Sequence, residues 1–157
     1  MNGSDLISAA EALLASNKGR PTTASRNRAM STAYYAMFHC LAQDCADLLI
    51  GRTSFSRSAG AWRQVYRSLE HGLAKTQCTR KQMMSKFPRK IADFGELFVV
   101  MQGWRHQADY DPSTRFKKSF VALSLEEARK TIANYLRAET RDRRAFAAYV
   151  LLKQRND

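Results

Sequence analysis

One apolar stripe along residues 24–50 constrains the fold of this chain more than any other feature. A stripe of this length predicts a long central helix against which other helices pack. On the opposite face, Tyr35 and His39 are spaced i, i+4, which predicts contact with another helix of the chain or with a second subunit. The stripe itself recurs at steps of three and four residues, the spacing of one helix face, and consists of Met30, Tyr34, Met37, Leu41, Cys45 and Leu48.

Periodicity predicts helices along most of the remaining chain. His71 and Gly72 suit the last turn of a third helix, over residues 61–73. No segment alternates as a half-buried strand would, so the sequence predicts one all-α domain over residues 1–157. The other predicted helices begin at Ser4, run over 90–111, begin at a capping box from Ser124 to Glu127, and run over 140–153, while 17–23, 51–60, 74–88 and 113–123 are predicted loops.

Arg105 interrupts the apolar face of the helix predicted over residues 90–111. At about 100° per residue it lies within ~20° of Phe94 and Phe98, near the middle of that face. A guanidinium keeps its charge in a protein, so a buried Arg105 needs a partner or a polar cleft. Asp109, one turn later, is the nearest candidate. Asp44 lies near the stripe of the long helix and is either a second candidate or an acid that reaches solvent.

The net charge of +12 is concentrated in the middle of the chain. Residues 48–92 contain ten Lys and Arg but a single acid, whereas the remainder contains sixteen bases and thirteen acids. A basic surface suits a polyanion such as RNA or DNA, and the alternative is a basic surface that is simply solvated. The candidate nucleic-acid contacts are Arg52, Arg57, Arg63, Arg67, Lys81, Lys86, Arg89 and Lys90.

Common motifs of catalysis and cofactor binding are missing from the sequence. There is no phosphate-binding GxxxxGK[ST] loop, no GxGxxG turn, no HExxH pair and no nucleophile-elbow serine. His39, His71 and His106 lie far apart without a Cys or carboxylate at ligand spacing, so we expect no metal and no cofactor. Three cysteines without a CxxC pair predict reduced thiols in a cytoplasmic protein. Neither a signal peptide nor a membrane span is expected.

Three segments together resemble the HEPN family, small helical proteins of prokaryotic defence and toxin–antitoxin systems. The segment from Ala29 to His39 is similar to the family's Tyr-Tyr-Ala-x-Phe helix. Leu69-Glu-His-Gly72 follows a basic loop, and the segment from Arg105 to Pro112 resembles the Arg-x-x-Ala-Asp-Tyr signature of one HEPN subgroup. The similarity extends over about residues 5–138, and a C-terminal helix over about residues 140–155 follows it.

This resemblance implies an antiparallel up-and-down bundle of four to five core helices plus the C-terminal helix. It also implies a homodimer in which Arg105 borders a cleft between subunits. Many HEPN proteins are metal-independent RNases that use an Arg followed by a His after four to six intervening residues. In this chain Arg105 matches the Arg and His106 matches a polar residue that often follows it, but Tyr110 stands where the His would be.

The incomplete motif leaves three functions open. The first is RNA or nucleic-acid binding through the basic surface, with little or no catalysis. The second is a metal-independent RNase toxin in which Arg105 is assisted by His106, Asp109 or Tyr110. Related toxins pair with a nucleotidyltransferase antitoxin that modifies a tyrosine, and Tyr110 is the candidate target in this chain. The third is a structural or partner-binding module in which Arg105 and Asp109 form an ionic lock.

Overall fold

A computed structural model describes residues 2–155 of the 157-residue chain. Within this range the protein is all-α and contains no strand, which confirms the predicted fold class. Buried apolar side chains from α1 to α8 form one cluster, from Ile7 to Val150. None of the described helices is long and apolar enough to cross a lipid bilayer. The helices are α1 (Gly3–Gly19), α2 (Thr23–Leu49), α3 (Ala59–Ser68), α4 (His71–Thr79), α5 (Lys81–Met84), α6 (Arg89–Tyr110), α7 (Lys118–Leu136) and α8 (Thr140–Leu151).

The predicted long helix is α2, and it is the centre of the fold. The hydroxyl of Thr22 caps it by accepting a hydrogen bond from the Ser25 N–H at 3.1 Å. Five of its neighbours, α1, α3, α6, α7 and α8, pack on it. Of the predicted stripe, Met30, Tyr34, Met37, Leu41 and Cys45 are all 0% exposed, so the prediction of a central helix is confirmed.

The opposite face of α2 contacts helices of the same chain. The His39 ring lies 6.0 Å from the ring of Tyr66 in α3. The Tyr35 ring lies 6.1 Å from the ring of His71 in α4. Of the two alternatives for this face, contact within the chain is therefore confirmed.

The helix predicted over residues 61–73 is wrong at its C-terminal end. α3 ends at Ser68, and Leu69 is extended, with φ −68° and ψ 117°. His71 and Gly72 therefore begin α4 instead of ending α3. The side chain of Leu69 is buried in the core (5% exposed), which holds the chain at this break.

The loop predicted over residues 74–88 is also wrong, because most of it is helical in α4 and α5. Although this segment is mostly polar, one face of α4 is buried and packs against α6 and α8. Gln77 is central to that packing. Its side-chain amide donates to the backbone carbonyl of Tyr149 at 2.8 Å, and the backbone carbonyl of Gln77 accepts from the Tyr149 hydroxyl at 2.7 Å. Tertiary contacts thus stabilise a helix that local sequence does not indicate.

The capping box predicted at Ser124 does not start a helix. α7 begins earlier, at Lys118, so Ser124 lies inside it and is buried. Its hydroxyl donates to the Phe120 carbonyl one turn back, at 2.8 Å. Val121 and Leu125 are also buried, which extends the inward face of α7 over a segment predicted to be a loop.

Both alternatives for Asp44 are wrong, because it neither contacts Arg105 nor reaches solvent. Asp44 is 3% exposed. One carboxylate oxygen accepts a hydrogen bond from the Tyr135 hydroxyl at 2.8 Å, and the other accepts one from Arg143, with which Asp44 forms an ion pair. This buried network joins α2 to α7 and α8, and it holds the C-terminal helix on the bundle.

Candidate functional site

Arg105 lies on α6 between aromatic rings and one carboxylate. Its guanidinium carbon is 5.5 Å from the centre of the Tyr34 ring and 5.3 Å from that of Tyr35, within the range of cation–π attraction. Its Nε is 3.6 Å from a carboxylate oxygen of Asp109, and the side chain is only 13% exposed. Within the described residues, this buried Nε has no hydrogen-bond partner. The charge is thus held in place, with only a small part of the side chain exposed to solvent.

Asp109 is the ion-pair partner predicted for Arg105. The same carboxylate oxygen accepts a hydrogen bond from the Ser31 hydroxyl at 3.2 Å. The pair is partly solvated, with the Asp109 side chain 22% exposed. The resulting arrangement ties α6 to α2 and fixes the orientation of Arg105.

His71 is a site residue that sequence reasoning did not connect with Arg105. Its Nδ1 lies 2.5 Å from the hydroxyl of Tyr34, the same residue whose ring faces Arg105. The imidazole also stacks on Phe38, with ring centres 3.9 Å apart. Gln102 donates to the His71 carbonyl at 3.3 Å, which holds the first turn of α4 against α6. The available signal was the Leu69–Gly72 segment of the HEPN resemblance.

Burial lowers the pKa of His71 below its ordinary value of 6.5, and the positive charge of Arg105 lowers it further. Burial likewise lowers the pKa of His39. Both imidazoles are therefore neutral at pH 7, and a neutral imidazole can accept a proton. Burial raises the pKa of the Tyr34 phenol well above its usual value, so this hydroxyl stays protonated.

These shifts predict that acidification from about pH 7.5 to about pH 5 lowers the free energy of unfolding. The pKa of each histidine is lower in the folded than in the unfolded chain, so the unfolded chain binds protons first as the pH falls below about 6.5. The contribution of the two neutral imidazoles to the free energy of unfolding is therefore present above pH 6.5 and is lost on acidification. Urea unfolding at both pH values checks this. The double variant His39→Gln/His71→Gln should show a weaker pH dependence, and an unchanged dependence would contradict the assignment.

Four rings of α3 and α2 neighbour one another in succession up to Arg105, and we call Trp62, Tyr66, His39 and Tyr35 the aromatic row. Successive ring centres are 5.2, 6.0 and 6.2 Å apart, with interplanar angles of 23°, 20° and 30°. A guanidinium lies at each end, with Arg57 4.5 Å from the Trp62 ring centre and Arg105 5.3 Å from that of Tyr35. All four rings are partly exposed.

The predicted catalytic residues fall into two pairs on α6. Arg105 and Asp109 contact each other. His106 and Tyr110 form the second pair, with ring centres 4.8 Å apart. Tyr110 is 67% exposed. At about 100° per residue it points some 140° around the helix from Arg105, so the position matching the family's His is directed away from the site that contains His71.

The predicted nucleic-acid contacts fall on several elements. Arg57, Arg63 and Arg67 lie on α3 or just before it, beside the aromatic row, and Arg63 and Arg67 are exposed. Arg52 lines a separate cleft between α1, α2 and α7. The remaining four are exposed and lie on α5, in the turn after it and at the start of α6: Lys81, Lys86, Arg89, which pairs with Asp93 at 3.2 Å, and Lys90.

No group of three or more His, Cys, Asp or Glu side chains within residues 2–155 is arranged to hold a metal ion. The geometry instead provides a fixed cation, a neutral imidazole and partly exposed rings, which suit contact with phosphates and bases. Comparisons of the chain with protein-family models, with curated proteins and with solved structures each find no match.

Proposed function

We propose that this chain is a HEPN-like RNA-binding protein of a prokaryotic defence or toxin–antitoxin system, in which Arg105 contacts a phosphate. The observation that carries the proposal is the state of Arg105: a guanidinium fixed by two tyrosine rings and Asp109, whose side chain keeps 13% of its surface exposed. Arginine suits this role because it stays charged and offers several donors in a planar fork that matches phosphate oxygens. The excess of basic residues supports electrostatic attraction of RNA.

Arg105→Ala tests this proposal by RNA binding. We expect the Kd for a fluorescently labelled RNA to rise about tenfold, and the slope of log K against log salt to fall by about one. Arg141→Ala is the matched control, because it removes the same charge from a side chain that is 93% exposed on α8. Its Kd should stay within about twofold of the wild-type value.

Thermal melting of both variants shows whether the fold is kept. Equal RNA affinity of the Arg105 and Arg141 variants would contradict the proposal, as would a wild-type protein that does not bind RNA. An Arg105→Met variant that melts at or above the wild-type temperature and binds RNA as well as the wild type would favour the ionic-lock alternative, since an apolar residue can replace a buried charge without loss of stability.

Metal-independent RNA cleavage is a second candidate function. The observation that favours it is the connection from Arg105 through Tyr34 to the neutral His71. His71 supplies the imidazole that the linear motif lacks. Under this candidate function, Tyr110 does not have to act as the general base in place of the missing His.

The proposal includes the partners implied by the resemblance, a second copy of the chain and a nucleotidyltransferase antitoxin, in a cytoplasmic setting. Tyr110 supports the second partner, because its side chain is 67% exposed and thus accessible to a modifying enzyme. Sedimentation equilibrium of the purified protein tests the homodimer. A monomer at all concentrations would remove the dimer from the proposal and leave RNA binding untouched.

A further inference from the structure

We propose that the aromatic row, together with the exposed Phe55 of the loop before α3, is a stacking track for unpaired nucleobases. This inference rests on the proposed RNA binding and names the part of the RNA that is recognised. Arg105 contacts the phosphate backbone at one end of the track. The bases of the adjoining nucleotides lie against the row and against Phe55.

Three rings of the row are positioned by their polar edges. The His39 Nδ1 and the Tyr66 hydroxyl are 2.6 Å apart, and the Trp62 indole N–H donates to Asp47 at 2.8 Å. Trp62, Tyr66 and His39 are therefore held in one orientation before a ligand arrives. A fixed aromatic ring contributes contact area at a small cost in conformational entropy, so the row is preorganised for stacking.

The row is not simply part of the hydrophobic core. α3, which supplies Trp62 and Tyr66, has no buried residue, and its packing is on α2. Core rings of this protein such as Phe94 and Phe98 are 0% exposed, whereas every ring of the row remains partly exposed. Solvated rings on a thinly packed helix are accessible to a ligand.

Phe55 lies in the loop that leads into α3, two residues before Arg57, whose guanidinium lies over the Trp62 ring. Its side chain is 100% exposed in the loop between α2 and α3. The loop is ordered around it by hydrogen bonds between Thr53 and Ser56, including one of 2.8 Å between their hydroxyls. Arg57 fixes the end of the loop by lying over Trp62 and pairing with Asp47 at 3.5 Å. An ordered loop thus presents an aromatic ring to solvent on both faces.

The charge around the track favours nucleic acid over a protein or a membrane. Residues 53–69 contain three arginines and no acid, and these arginines are Arg57, Arg63 and Arg67. Cations beside partly exposed rings are the combination that binds single-stranded nucleic acid, because phosphates contact the cations and every base offers a face for stacking. Bases inside a duplex are already stacked on each other, so a duplex cannot use the rings.

Fluorescence of Trp62 tests the stacking directly. The chain contains two tryptophans, so the Trp104→Phe variant leaves Trp62 as the single reporter. The probes are an oligoadenylate of about 12 nucleotides, an abasic strand with the same number of phosphates, and a duplex of the same length. We expect the oligoadenylate to quench Trp62 and to bind about tenfold more tightly than the abasic strand or the duplex.

Affinity of labelled oligoadenylate for ring variants supplies the second measurement. Phe55→Ala and Tyr66→Ala should each raise the Kd about tenfold. Leu123→Ala is the control for Phe55, because Leu123 is a 66% exposed apolar side chain on α7. Its Kd should equal that of the wild type. Phe55 is fully solvated, so its substitution removes no packing.

The results separate the track from the proposed function. Equal binding of oligoadenylate and abasic strand, with wild-type affinity in Phe55→Ala, overturns the track; a loss confined to Arg105→Ala would then preserve phosphate binding. A wild-type protein that binds none of the three probes overturns both. Tighter binding of anionic phospholipid vesicles than of oligoadenylate, lost in Phe55→Ala, overturns the track by assigning the loop to a membrane surface.

Discussion

Replacing Asp44 by alanine is expected to lower the free energy of unfolding by about 3–5 kcal/mol, as measured by urea denaturation. The substitution leaves Arg143, whose side chain is 6% exposed, as a buried charge without its carboxylate. It also leaves the hydroxyl of Tyr135, a 0% exposed residue, without its acceptor. Removal of one member of a buried pair is costly because the remaining group loses both water and its partner.

Two comparisons separate this effect from the loss of any acid. Asp93→Ala removes a carboxylate that pairs with Arg89 at 3.2 Å in solvent, with side chains 51% and 90% exposed, and it should cost at most about 1 kcal/mol. The double variant Asp44→Leu/Arg143→Met should recover the part of the loss that comes from the unpaired Arg143, because two apolar side chains need no electrostatic partner, while the Tyr135 hydroxyl still lacks its acceptor. Similar losses for Asp44→Ala and Asp93→Ala would contradict the role of the buried network.

The interactions that sequence reasoning predicted are local ones. The stripe of α2 and the pair of Arg105 with Asp109 both follow from helical spacing, since residues three and four apart share a face. A helix that is buried on one side shows this in the spacing of its own apolar residues. The all-α class could therefore be predicted from the chain alone.

Contacts between distant segments account for what could not be predicted. Asp44 and Arg143 are 99 residues apart, and nothing in the spacing around either residue indicates the other. α4 forms because Gln77 and its neighbours meet α6 and α8, which local composition cannot show. The sequence assigned His71 to the end of α3, and for this reason it did not predict that His71 lies close to Tyr34 and Arg105.

The second large effect is expected at His71 under the cleavage candidate. In that reaction the neutral imidazole accepts the proton of a ribose 2′-hydroxyl, and the 2′ oxygen attacks phosphorus. The bond from phosphorus to the 5′ oxygen breaks, and the leaving oxygen takes a proton from solvent. The products are a 2′,3′-cyclic phosphate and a 5′-hydroxyl. Arg105 stabilises the charge on the non-bridging oxygens through its guanidinium.

His71→Gln should then lower the cleavage rate in EDTA by about 10²–10⁴-fold, the usual contribution of a general base. Glutamine can keep a hydrogen bond to Tyr34 but cannot accept the proton. His106→Gln and Tyr110→Phe test the residues that the linear motif indicated, and under this assignment they retain activity because their side chains form a separate pair on α6. Loss of activity in Tyr110→Phe with full activity in His71→Gln would reverse the assignment.

The pH dependence of the cleavage rate distinguishes a general base from a purely structural residue, because a structural role of His71 would not shift this profile. A base must be deprotonated to act, so the rate should rise with pH, with its midpoint at the pKa of His71, and level off above it; burial and Arg105 hold this pKa below 6.5. Arg105→Met removes the nearby positive charge, and the midpoint of any remaining activity should then move to higher pH. An unchanged midpoint would show that the titrating base is not beside Arg105, and so is not His71.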